Sequence, residues 1–194
     1  MIKVKTVTIV GANKSIDRGR VVASFLLGTQ DFYDYVDFNR SILMMDIGYV
    51  NDPRVICRNP KVVAINSAVQ MDLTGQISAD SIGTRIISGT GGQLGFVKGS
   101  RLSEGGKSIT AFPSRAKNGQ SKIVPILDDG AGVVTPRADA QWVVTEYGAV
   151  NLEGLSLQER AKALIKIAYP EDKEMLERAA FERFGKRYRL YSSK

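Results

Sequence analysis

The stretch 86–100, "IISGTGGQLGFVKGS", runs from an apolar segment into five glycines, Gly89, Gly91, Gly92, Gly95 and Gly99, with Lys98 among them and Arg101 just beyond. The preceding "TRIISG" (84–89) reads as a buried strand, which places the glycines at a strand's carboxyl end, where open α/β sheets bind ligands. Glycine there permits positive φ and lets backbone N–H groups approach an anionic or polarised oxygen. "GTGGQLG" is neither the dinucleotide fingerprint nor a P-loop, because it lacks the GK[ST] ending and a ribose-binding carboxylate at the required distance. On spacing alone, a tight turn and a ligand loop are equally compatible with it.

Working outward, short Val- and Ile-rich runs recur at 6–10 ("TVTIV"), 21–27 ("VVASFLL"), 61–69 ("KVVAINSAV"), 107–113 ("KSITAFP"), 121–127 ("SKIVPIL") and 140–148 ("AQWVVTEYG"). Bounded by Gly, Pro, Asn and Asp and showing no alternation, they predict strands covered on both faces. Helices are expected at 31–40, where Asp31 suits a first turn, and at 156–169. In the latter, Ser156 and Glu159 form a capping box, Leu157, Ala161, Leu164, Ile165 and Ala168 make an apolar stripe, and Pro170 marks the stop. A further amphipathic helix is expected over 171–184, followed by a basic tail. No repeat or low-complexity linker interrupts the 194 residues, so residues 1–194 read as one α/β domain.

Composition excludes several chemistries. The chain carries a net charge of +7 and no histidine, so no histidine base, metal ligand or pH switch can come from it. Its one cysteine, Cys57, can neither close an internal disulfide nor build a thiolate metal site, which fits a reducing cytoplasm and no metal. "MIKVKTVTIVGANKS" has no signal-peptide core, and no run reaches bilayer length, so a cytoplasmic protein without membrane contact is expected. The basic balance implies an anionic partner.

Polar residues at the ends of apolar runs are candidates of double meaning. Glu146, beyond "VVTEYG", is either a solvated strand-end carboxylate or an acid, base or anchor in a cleft. Asn51 and Asp52, before Pro53, suit a turn or helix cap as well as a ligand contact. Asn66, ending "VVAIN", braces a turn or meets a ligand. Lys98, Arg101, Lys107, Arg115, Lys117 and Lys122 form a basic series compatible with a solvated face or with phosphate binding. Aromatic residues do not interleave with them as a nucleic-acid platform requires, so no nucleic-acid partner is expected.

Taken in order, "NDPRVICRNPKVVAINSAVQMDLTGQISADSIGTRIISGTGGQLGFVKG", "GGKSITAFPSRAKNGQSKIVPIL" and "GAGVVTPRADAQWVVTEYGAVNLEGLSLQERAKALIKIAYP" resemble the C-terminal domain of the acetyl-CoA hydrolase/transferase family, whose members include 4-hydroxybutyrate, butyrate and succinyl CoA-transferases. The resemblance runs from about Asp17 to Phe184. It implies a CoA-transferase (NagB/RpiA-like) α/β domain, a mainly parallel sheet with flanking helices, equivalent to the C-terminal half of the enzyme. The implied reaction moves CoA between an acyl-CoA and a small carboxylic acid through a glutamyl-CoA thioester, with backbone N–H groups holding the oxyanion.

By the same resemblance, "SGTGGQ", that is Ser88, Gly89, Thr90, Gly91, Gly92 and Gln93, lines the CoA and thioester site, with Gly92 supplying an oxyanion N–H. Val69 matches a CoA-contacting position. Asn51 and Glu146 match polar residues framing the catalytic glutamate and substrate carboxylate, so Gly92, Glu146 and Asn51 are the expected catalytic set. Asn66, Lys107 and the "PSRAKNG" loop are expected to contact CoA, the basic residues at its phosphates. Gly95 stands where the family usually carries aspartate and Pro136 where it carries serine, and each is expected to loosen or reshape the site.

The family's nucleophilic glutamate belongs to a motif upstream of the segment aligned with the start of this chain. The expectation is half an active site, inactive alone, whose partner is an N-terminal CoA-transferase half or a homo-oligomer. An acyl-CoA hydrolase half and a non-catalytic CoA-binding module are the alternative readings. The face that meets the missing half should be apolar.

Overall fold

A computed structural model describes residues 13–188, and the strand expected at 6–10 lies outside them. The apolar runs do form strands, but shorter than their apolar length. The central sheet contains β3 (Val63–Asn66), β8 (Lys107–Ala111), β10 (Trp142–Thr145) and β11 (Gly148–Asn151) in the order β11-β10-β8-β3. The first three are parallel, with Asn66 opposite Thr110 and Val144 opposite Ala111. β11 returns antiparallel through the two-residue turn Glu146–Tyr147, which Gly148 closes at φ 142°.

Smaller units surround this sheet. β1 (Val21–Ala23) and β2 (Ile42–Met44) pair in parallel across α1 (Gln30–Val36). The short helices α2 (Ile47–Val50) and α3 (Pro53–Ile56) follow, the second capped by Asp52, which accepts from the Arg54 N–H at 2.8 Å. β4 (Gln70–Asp72) lies between β5 (Ile77–Ser78) and β9 (Ile123–Val124). The fold is thus mixed α/β, with several small sheets in place of one continuous parallel sheet.

The deciding stretch departs most from expectation. "TRIISG" is not a buried strand: β6 (Ser81–Ile82) and β7 (Arg85–Ile86) make a short antiparallel hairpin, with Ile86 77% exposed. The glycines instead open a helix, α4 (Gln93–Leu102), with Gly92 as its N-cap residue. Gly95 and Gly99 weaken its intrinsic propensity, so its stability comes from packing. A Cβ at Gly99 would stand 2.6 Å from the Ile56 side chain, and one at Gly95 would overlap the Asn51 carbonyl oxygen. The glycines are a flat face against which α2 and α3 lie.

The C-terminal region follows the sequence closely. α5 (Leu157–Lys166) starts with the expected capping box, both the Ser156 and the Glu159 bonds being present. After a 3₁₀ turn at Pro170–Asp172 comes α6 (Lys173–Tyr188). Leu164, Ile167, Ala168 and Leu176 from this pair join Met71, Leu73, Ile77, Phe112, Ile123, Val143 and Leu152 in the main core. Asp72, fully buried in it, accepts from the N–H groups of Thr74 and Gln76 and from both their side chains.

The expectation of strands covered on both faces also needs correction. Along β3, β8 and β10, buried and accessible positions alternate, so one face of the sheet carries the helices and, among the described residues, the other is open.

Candidate functional site

A cavity of about 600 Å³ lies at the amino end of α4, walled by Phe25, Ile47 and Phe96 and lined by Asn51, Asn66, Gly91, Gly92 and Gln93. Five residues singled out in the sequence, spread over more than forty positions, therefore share one space. Asn66 arrives there as the last residue of β3, on the helix-covered side, while Asn51 arrives as the residue closing α2. The open first turn of α4 supplies N–H groups with no partner inside the helix, and the macrodipole adds partial positive charge.

The close approach of these pieces depends on glycine. At Gly92 a Cβ would fall 2.6 to 2.7 Å from the amide atoms of Asn51, so only hydrogen lets the Asn51 side chain lie against the loop. Gly91 has φ +58° with open space around it, leaving the backbone accessible. The Asn66 Nδ2 is buried without a hydrogen-bond partner among the described residues. The Gln93 amide donates to the buried Thr135 hydroxyl at 3.2 Å, which anchors the helix start to the loop segment that bridges to Ile77 just before Pro136. Gly95 also has a local reason, since the side chain of an aspartate there would begin with the Cβ that overlaps Asn51.

Other expected site residues lie around or away from this cavity. Ser88 donates its N–H to the Asp80 carbonyl and its hydroxyl to Gly89, so it braces the loop, and Gly89 and Thr90 are exposed beside it. Val69 joins β3 to β4 with its N–H given to the Ser78 carbonyl at 2.8 Å. Lys107 begins β8, whereas Asn66 pairs with Thr110 near that strand's other end. Lys107 therefore stands roughly 10 Å down the sheet from the carboxyl edge.

Glu146 is at that carboxyl edge, in the turn after β10, two strand spacings or roughly 10 Å across from β3. It is pinned there. The buried Ser114 gives it both its N–H, at 2.8 Å, and its hydroxyl, at 2.6 Å. Those bonds hold the Glu146 carboxyl below the ordinary glutamate range. The geometry presents a fixed, ionised carboxylate.

The next residue, Arg115, fastens the same loop to the C-terminal helices. Its guanidinium grips Asp172 through Nε at 3.0 Å and Nη2 at 2.6 Å, reaches Glu171 through Nη1 at 3.0 Å, and stacks 3.9 Å over the Tyr169 ring. Tyr147, beside Glu146, packs edge-on against Tyr169. Arg115 is therefore spent on structure, and Lys117 is the exposed cation at the tip of the 115–121 loop. The roles of Ser114 and Asp172 have no local sequence signal, because their partners lie 32 and 57 residues away.

Residues 28–180 match the family described as acetyl-CoA hydrolase/transferase C-terminal domain. The chain is 51% identical over 177 residues to the succinyl-CoA:acetate/propanoyl-CoA:succinate CoA transferase of Fasciola hepatica, a match covering 90% of this chain and 37% of that protein. It is 46% identical to the 4-hydroxybutyrate coenzyme A transferase of Clostridium kluyveri, covering 93% of this chain and 42% of that one. The crystal structure of RipA from Yersinia pestis superposes with a TM-score of 0.85 at 43% identity, over 90% of this chain and 40% of that one. The chain thus spans about two-fifths of the length of these proteins. With a glycine-opened helix and two asparagines converging on one cavity inside a stretch matched almost end to end, the chain belongs to the acetyl-CoA hydrolase/transferase family and corresponds to its C-terminal domain.

Proposed function

We propose that this chain forms the C-terminal half of a CoA-transferase that moves CoA between an acyl-CoA and a small carboxylic acid. The observation that carries the reading is the convergence of Asn51, Asn66, Gly91, Gly92 and Gln93 on one cavity at the start of α4. A tetrahedral intermediate formed from a thioester or mixed anhydride carries its charge on one oxygen, and N–H donors placed in advance stabilise that charge. In this reading the Gly92 backbone and the Asn51 amide face the oxyanion, Asn66 contributes its free donor, and Glu146 frames the acid at the sheet edge. The loop from Ser88 and the Lys117 tip face CoA.

The nucleophile of the proposed reaction is a glutamate outside this chain: it attacks the acyl-CoA carbonyl to give a mixed anhydride and CoA thiolate, the thiolate attacks the glutamyl carbonyl to give a glutamyl thioester and release the donor acid, and the acceptor acid takes CoA by the same two steps in reverse. This glutamate resides in the part of the relatives that the match does not cover. The two relatives compared above are named as transferases, which favours transfer to a carboxylate over hydrolysis. The test is CoA transfer from acetyl-CoA to butyrate or succinate, measured with this chain alone and then mixed with the remaining portion of the Clostridium kluyveri relative. Turnover confined to the mixture is expected. A mixture that forms a complex and binds CoA without turnover would leave only a CoA-binding module.

A further inference from the structure

Of the chain's asparagines, only Asn118 precedes glycine; each of the others is followed by a residue whose side chain shields the next backbone nitrogen. Asn118 and Gly119 form the tip of the 115–121 loop. Ala116 donates its N–H to the Gln120 carbonyl at 2.8 Å, and Gly119 donates to the Ala116 carbonyl at 2.9 Å. Residues 117–120 are exposed, so water can replace the bond that the Gly119 N–H makes. Gly119 has φ +83°, and a Cβ there would meet nothing within 4 Å, which leaves its nitrogen open and the turn free to reshape.

The Asn118 side chain does not point away from this nitrogen. Its Oδ1 accepts the Gln120 N–H at 3.2 Å, and its Nδ2 donates to the Gln120 Oε1 at 2.8 Å. The first bond is an Asx turn, which spans Gly119 and folds the side-chain amide over it. It also acts as an oxyanion donor would, drawing charge onto Oδ1 and leaving the amide carbon open to attack.

We propose that Asn118 is a self-modifying site, at which the Gly119 backbone nitrogen cyclises onto the side-chain amide and water then converts the residue to aspartate or isoaspartate. In the first step the Gly119 nitrogen gives its proton to hydroxide and bonds to Asn118 Cγ. The Cγ–Nδ2 bond breaks, and Nδ2 leaves as ammonia after taking a proton from water. In the second step water opens the five-membered imide at one of its two carbonyls. One water is consumed and one ammonia released, and hydroxide is regenerated. The product places a carboxylate beside Lys117, the exposed cation of the same tip, and lowers the net charge of +7 by one. Its effect on CoA rests on the CoA-transferase reading, in which Lys117 faces that ligand; the cyclisation does not.

The test holds the folded chain in warm, mildly alkaline buffer, digests samples over time and follows the mass of the peptide that carries residue 118. Replacement of NH2 by OH at Asn118, ahead of every other asparagine and faster as pH rises, is expected. Gly119→Ala should slow it several-fold, because the methyl shields the attacking nitrogen. An Asn118 amide that lasts as long as those of the other asparagines, or that is lost only once the chain is unfolded, would overturn the proposal. CoA affinity is then compared for fresh chain, aged chain and Asn118→Asp, each mixed with the unmatched portion of the Clostridium kluyveri relative. A several-fold loss at low salt is expected for the last two. Equal affinity in all three would overturn the effect of the modification on the ligand. A fresh mixture that fails to bind CoA, while the amide is still lost on ageing, refutes the CoA-transferase reading alone.

Discussion

Replacing Gly92 by alanine puts the close approach of α4 and α2 to a direct test. The backbone at Gly92 has φ −89° and ψ 2°, which alanine can adopt, so no cost arises from left-handed geometry. Alanine is a poorer N-cap residue than glycine, a loss of up to about 1 kcal/mol. The new methyl would stand 2.6 to 2.7 Å from the Asn51 amide, and the amide must leave its position. Turning a side chain off its rotamer costs about 1 kcal/mol. The sum, about 2 kcal/mol, corresponds to a fall in melting temperature of roughly 4–8 °C for a domain of this size. Thermal unfolding followed by circular dichroism reads that shift, with Gly89→Ala as control, because a Cβ at Gly89 meets nothing within 4 Å. In the complemented enzyme, Gly92→Ala should also remove most CoA transfer. A Gly92→Ala chain that melts with the wild type and supports full transfer would refute both the contact and its role.

Gly95→Ala, ordinarily a stabilising change inside a helix, should here destabilise, because the added carbon overlaps the Asn51 carbonyl; a raised melting temperature would contradict the packing. The Glu146 carboxyl, held low by Ser114, should contribute stability above the ordinary glutamate range and lose it as pH falls through its lowered value. Ser114→Ala should move the Glu146 titration, followed by NMR, upward towards the ordinary range, and an unmoved titration would remove Ser114 as the cause. Arg115→Lys keeps the charge but loses the two-pronged grip on Asp172, so amide hydrogen exchange should quicken in residues 115–121 while the core strands stay protected.

What could be read from the chain was what depends on near neighbours. The capping box of Ser156 and Glu159, the stripe of Leu164 and Ile165 and the stop at Pro170 are relations within one or two helical turns, and the structure reproduces them. The absence of histidine removed whole chemistries without any knowledge of shape. Gly91, Gly92 and Asn51 could be singled out from the sequence, and the fold brings them to one cavity.

The tertiary structure alone decided what the glycines were for. Gly95 and Gly99 argue against a helix locally, and α4 forms because Asn51 and Ile56 need a surface without side chains to pack on. "TRIISG" has the composition of a buried strand, but the chain turns at Gly83 and leaves Ile86 in the open. The apolar runs could not reveal which face would be covered, since an alternation is legible only when the uncovered face is polar. Here the open face is largely apolar too, because burial of a sheet is a property of all the layers packed against it and the described residues supply one of them.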